Sequence, residues 1–222
     1  MVKLFINTYY ENASMLRWEQ NENGTIDLFL IPDHERFLPN HQITHWNFKV
    51  EIPPEHLGET MTFRFRSMTG CYNGESYRAL AGHDMVTAIS YDGSNWETIE
   101  CTPSEHPECG PEFSVKLKSE VIQIAHLVPY TDSMLQKTIC ELGAEQDFRV
   151  YKIGSTVEGR ALEIIEIGNP DSDNQVLLRG RAHPWESGGS WLLEGLMRYL
   201  ILEPDEEAEQ IKRNVCFCIM PM

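Results

Sequence analysis

The sequence predicts two domains, an antiparallel β-sandwich over residues 1–128 and a shortened α/β domain over residues 129–222. Three observations predict it. Short aromatic and β-branched runs of period two succeed one another up to about residue 125, separated by turn signals. A helical period first appears just after Pro129. Beyond it, continuous apolar runs alternate with a long amphipathic segment, as in sheets buried by helices.

In the first domain, residues 25–31 follow the turn Asn23-Gly24 and read as a strand. Residues 44–52 form a second, with Trp46, Phe48 and Val50 on one face. Met61, Phe63 and Phe65 line one side of a third over residues 61–66. Residues 87–91 run into Asp92-Gly93, a hairpin signal, and the pattern resumes at Trp96. Residues 113–117 and 121–127 complete the set, and strand after strand with short turns argues for a sandwich.

In the second domain, Thr131 or Asp132 caps a helix over residues 133–142, with Met134, Leu135, Thr138, Ile139 and Leu142 inward and Gly143 ending it. Residues 148–153, 162–167 and 175–178 read as strands. A long helix spans about 187–202, with the apolar stripe Trp191, Leu192, Met197, Leu200 and Ile201. The acidic run 203–209 reads as a solvated helix flank, and residues 215–220 as a buried strand. Strand, helix, strand predicts a parallel sheet. About ninety residues give few strands, so a partner or oligomer covering the exposed side of the shortened domain is expected.

The charge narrows the function. Eighteen Lys and Arg against 34 Asp and Glu leave a formal −16. A chain this acidic offers no phosphate-neutralising patch, which argues against nucleic-acid and anionic-membrane partners. No run of eighteen apolar residues suggests a membrane span, and residues 1–10 lack the long apolar core of a secretory signal. The six cysteines contain no C-x-x-C pair; reduced thiols in the cytoplasm are expected, with a Cys101–Cys109 bridge the alternative for an oxidising compartment. Cys216 and Cys218, two apart in an apolar strand, are expected on one buried face.

The segment Arg181-Ala182-His183-Pro184-Trp185-Glu186-Ser187 carries the chemistry. It places an imidazole and a carboxylate three residues apart between a strand and a helix, a spacing that grips one face of a zinc ion. A catalytic zinc takes three protein ligands. His34, His41, His45, His56, His83, His106 and His126 all precede the motif; His126 is nearest in sequence, and a surface or loop histidine is the plainer reading for each. Arg179 and Arg181 flank the pair and offer either charge for an anionic peptide end or, more simply, salt bridges. For Arg160, bracing of the fold is the simpler reading against substrate contact.

His183-Pro184-Trp185-Glu186 resembles the H-x-x-E zinc motif of zinc metallocarboxypeptidases, and Gly154 to Leu162 resembles the segment preceding it. The small residues Ser187 to Ser190 followed by Trp191 and Gly195 are similar to the cytosolic carboxypeptidase branch, as are Trp46-Asn47-Phe48-Lys49-Val50, Ser90-Tyr91-Asp92-Gly93 with Trp96, and Val128-Pro129-Tyr130-Thr131. Trp185 departs from that branch, which has glycine there. Pro221-Met222 resembles the start of its P-M-x-N-P-D-G segment. The resemblance implies a zinc-dependent hydrolase that removes C-terminal amino acids, glutamate in some members, from peptides or proteins. It implies His183 and Glu186 as metal ligands. The third ligand, the carboxylate-binding residues and the general base are expected beyond Met222, so a non-catalytic binding or folding module of the same family is the alternative.

Overall fold

The structure, a computed structural model, describes residues 4–32, 40–77, 86–104, 109–143, 148–202 and 205–222. It contains two compact units, residues 1–129 and 130–222.

The first unit is built of strands β1 (Phe5–Asn7), β2 (Arg17–Gln20), β3 (Ile26–Phe29), β4 (Asn47–Glu51), β5 (Thr60–Ser67), β6 (Gly70–Tyr72), β7 (Glu75–Tyr77), β8 (Val86–Ser90), β9 (Glu97–Glu100), β10 (Glu112–Lys116) and β11 (Val121–Ala125). One sheet has the order β1-β4-β11-β8-β9, a second β10-β5-β3-β2, and β6 and β7 form a small ribbon. Trp46, Phe48 and Val50 are fully buried, as their alternation predicts, and they join Met61, Phe63 and Phe65 in one apolar cluster. Phe48 and Phe63, from the two larger sheets, have ring centroids 6.1 Å apart.

The expectation of purely antiparallel pairing needs one correction. β3 runs parallel to β5, with Ile26 opposite Phe63. Between them the chain crosses into the other sheet as β4, so β5 returns in the direction of β3; a hairpin would have reversed it.

The second unit contains α1 (Asp132–Leu142), β12 (Phe148–Ser155), β13 (Ala161–Gly168), β14 (Gln175–Arg179), α2 (Gly188–Leu202), α3 (Glu206–Asn214) and β15 (Cys216–Met220). Its sheet has the order β12-β13-β15-β14. Here too the expectation is corrected: the sheet is mixed. β12 and β13 form a hairpin turning at Gly159, whose φ of +84° suits glycine. β13 pairs antiparallel with β15, and only β14 and β15 run parallel, joined by a crossover through α2 and α3.

The helices cover one face of this sheet. Ile165, Ile167 and Ile219 pack with Leu193, Met197, Leu200 and Ile201 of α2 and with Leu135 and Leu142 of α1. The buried positions of α2 are 190, 193, 194, 197, 200 and 201, whereas Leu192, predicted inward, is 74% exposed. Thr131 caps α1 by accepting from the amide of Met134. Of the acidic run read as a flank, residues 206–209 are themselves part of a helix. Asp205 caps α3 through the Ala208 amide, Glu206, Glu207 and Glu209 occupy its first turn, and Lys212 and Arg213 its last, which is the charge order a helix dipole favours.

Candidate metal centre

The loop 181–187 leaves the carboxyl end of β14 and enters α2 beside the exit of β15, where ligands collect in open α/β sheets. Two close approaches fix it there. Gly180 donates to the carbonyl of Met220 at 2.9 Å, and a Cβ at Gly180 would stand 2.9 Å from the Pro221 oxygen and 3.3 Å from Leu193. The buried Ser190 hydroxyl donates to Pro221 O at 2.6 Å, tying the first turn of α2 to the same strand exit.

Within the loop, Arg181 adopts φ +50°, a left-handed conformation that costs an ordinary residue energy and is held only where the surroundings enforce it. Its guanidinium does the enforcing. Nη1 donates to Tyr130 O at 2.7 Å, Nε donates to Pro184 O at 2.9 Å, and Nη2 reaches the same oxygen. Burial lowers its pKa from the ordinary arginine value. The salt bridge expected for Arg181 is thus corrected: its donors go to backbone carbonyls. Arg179 is exposed and makes no ion pair among the described residues. Arg160 meets Glu158 at 3.5 Å in a solvent-exposed pair, a contact of small energetic weight.

So anchored, the loop brings His183 and Glu186 together. Nδ1 of His183 lies 2.9 Å from Oε1 of Glu186, and both side chains remain open to solvent. The Glu186 amide donates to the His183 carbonyl, closing the turn that sets their spacing. Trp185 lies nearly parallel to the His183 ring, with centroids 6.3 Å apart. Tyr130 is fully buried and meets Trp191 of α2 edge-on at 5.0 Å. Burial first, and the Glu194 carboxylate next, push its phenol pKa up.

His183 is the single histidine of residues 130–222. His41, His45, His56 and His126 belong to the first unit. His126 lies in the loop after β11 but is buried, 8% exposed and stacked on Trp46 at 4.5 Å, which corrects the surface half of its reading. His34, His83 and His106 lie outside the described residues. All six cysteines are free, so the Cys101–Cys109 bridge is absent; Cys101 contacts the Thr87 hydroxyl and Cys109 the Arg66 guanidinium.

Comparison with known proteins bears on this mixed sheet and its His-x-x-Glu pair. Residues 140–222 match the model of the zinc carboxypeptidase family. Over 108 residues the chain is 31% identical to cytosolic carboxypeptidase 6 of Caenorhabditis elegans, covering 46% of this chain and 23% of that protein. It is 22% identical over 238 residues to the mouse protein of the same name, covering 99% of this chain and 42% of that protein. In fold it is similar to a putative carboxypeptidase A of Shewanella denitrificans, with a TM-score of 0.81, 23% identity, and coverage of 98% of this chain and 54% of that one. The chain thus spans less than half the length of these curated relatives. Among the described residues no helix is long and apolar enough to cross a membrane.

Proposed function

We propose that His183 and Glu186 hold the zinc ion of a metallocarboxypeptidase that removes C-terminal residues, glutamate among them, from peptides or proteins in the cytoplasm. The observation that carries this reading is the 2.9 Å approach of His183 Nδ1 to Glu186 Oε1. A tetrahedral zinc keeps a nitrogen and an oxygen ligand about 3.4 Å apart, so side-chain rotation of roughly half an ångström admits the ion. Solvent exposure of both side chains leaves room for the open position that a catalytic zinc requires. The relatives' names supply the cytosolic setting.

The chemistry such an ion supplies is polarisation of the scissile carbonyl and activation of water near neutral pH. The residues of this chain have other tasks. His183 and Glu186 provide two of three protein ligands. Arg181 holds the loop in its strained turn, so the pair does not have to be ordered when the ion arrives. The Trp185 ring lies alongside that of His183, where it would flank a bound peptide end. In the first unit, two sheets sharing one apolar core support the reading of a β-sandwich.

The test uses ring 15N resonances. Zinc added to the metal-free protein moves the His183 signal and leaves the other histidines unmoved, and Glu186→Gln weakens this response at least about tenfold. An unmoved His183 signal refutes the assignment. Zinc held by His183 without release of a terminal residue from a peptide panel replaces hydrolysis with the reading of a non-catalytic binding or folding module.

A further inference from the structure

The Cys-x-Cys pair of β15 takes no part in the site above. Residues two apart in a strand share a face, and here it is the face opposite the helices: Phe217 and Ile219 pack toward α2, so Cys216 and Cys218 point away from it. Glu166 of β13 stands directly opposite Cys218 in the ladder, so its carboxylate rises on the same side.

We propose that Cys216, Cys218 and Glu166 form a second metal site, for a thiophilic divalent cation of the zinc type. Their ligand atoms all lie within 4.8 Å of one another. Tetrahedral zinc spaces two sulfurs about 3.8 Å apart and a sulfur and an oxygen about 3.6 Å apart, so closure asks for side-chain shifts on the order of 1 Å. The backbone needs none, because β15 is hydrogen-bonded on both edges, to β13 and β14. The donor set selects the ion. Two thiolates disfavour calcium and magnesium, which take oxygen ligands, and the carboxylate disfavours monovalent copper, which takes soft ones. Both hydrogen bonds to Glu166, from Arg149 at 3.4 Å and Tyr151 at 3.3 Å, fall on Oε1 and leave Oε2 to turn toward the sulfurs. Charge also balances: two thiolates and a carboxylate carry three negative charges, against a divalent ion and the Arg149 guanidinium. Loading expels the two thiol protons. Cys216 is 1% exposed and seats the ion against the sheet, while the half-buried Cys218 gives it entry.

Anaerobic titration of the whole chain with cobalt(II) tests this. The expected result is near-ultraviolet thiolate-to-cobalt absorption that zinc displaces, that persists in His183→Ala/Glu186→Gln, that disappears in Cys218→Ser, and whose midpoint shifts at least tenfold in Glu166→Gln. Since substitutions on a central strand can disturb folding, alkylation of the unaltered protein is mapped by mass spectrometry as well; zinc slows modification of Cys218 at least tenfold. No thiolate absorption, absorption unchanged in a folded Cys218→Ser protein, or Cys218 alkylation indifferent to zinc overturns the proposal.

Discussion

Replacing Arg181 by alanine removes the clamp of the site loop, and the structure gives the size of the effect. The two contacts with Pro184 O lie at an exposed carbonyl, where water substitutes for the guanidinium at little cost. The contact with Tyr130 O differs, because Tyr130 is fully buried and its carbonyl loses a charged donor. A hydrogen bond to a charged group contributes about 1.5–3 kcal/mol, so Arg181→Ala lowers the local opening free energy of residues 181–202 by roughly 2–3 kcal/mol. The φ of +50° adds a second, separable term. Alanine inherits that strain and glycine does not, so Arg181→Gly is about 1 kcal/mol less damaging than Arg181→Ala. Native-state hydrogen exchange by mass spectrometry reads both numbers on peptides from this segment, independently of the first unit. A change below about 0.5 kcal/mol for alanine, or glycine no better than alanine, refutes the idea that this side chain sustains a strained turn.

Other perturbations test the surrounding frame. Burial, then the neighbouring His45, lower the His126 pKa to about 4; the unfolded chain takes up this proton near pH 6.5, so stability of the first unit is full above that pH, falls on acidification and levels off near pH 4, a loss of roughly 3 kcal/mol. Urea unfolding from pH 7 to 4 shows this slope in the native protein and a flatter one in His126→Phe. Arg198 holds the buried Glu194 at 2.8 Å; because Arg198 is itself partly exposed, Arg198→Ala costs about 1–2 kcal/mol by thermal unfolding, part of which Glu194→Gln restores. Gly168 combines φ +100° with carbonyls of Val215 and Lys212 where a Cβ would sit; Gly168→Ala costs roughly 2–4 kcal/mol in the same assay, with α3 displaced from β13.

What could be read from residues alone was what depends on near neighbours in sequence. The alternation of Trp46, Phe48 and Val50 places all three in the core, and the three-residue spacing of His183 and Glu186 places their side chains together. The direction of β3 relative to β5 was not legible, because it depends on which sheet the intervening strand joins. Arg181 looked like a charge in search of a carboxylate; its partners are main-chain oxygens, one of them 51 residues away, which no local pattern announces. The pair Cys216 and Cys218 does share a face, yet the apolar run around it hid that the helix-packed side belongs to Phe217 and Ile219. Helix α3 did carry a signal, Asp205 ahead of acidic and then basic turns, that the density of charge obscured.

The strand order also governs synthesis. β14 reaches the rest of its sheet only through β15, which follows it by some forty residues. A nascent chain emerging from the ribosome can close the hairpin of β12 and β13 early, but residues 175–179 must wait without a ladder until the Cys-Phe-Cys strand slots between them and β13. Stalled translation anywhere in α2 or α3 therefore leaves an apolar ribbon available to chaperones.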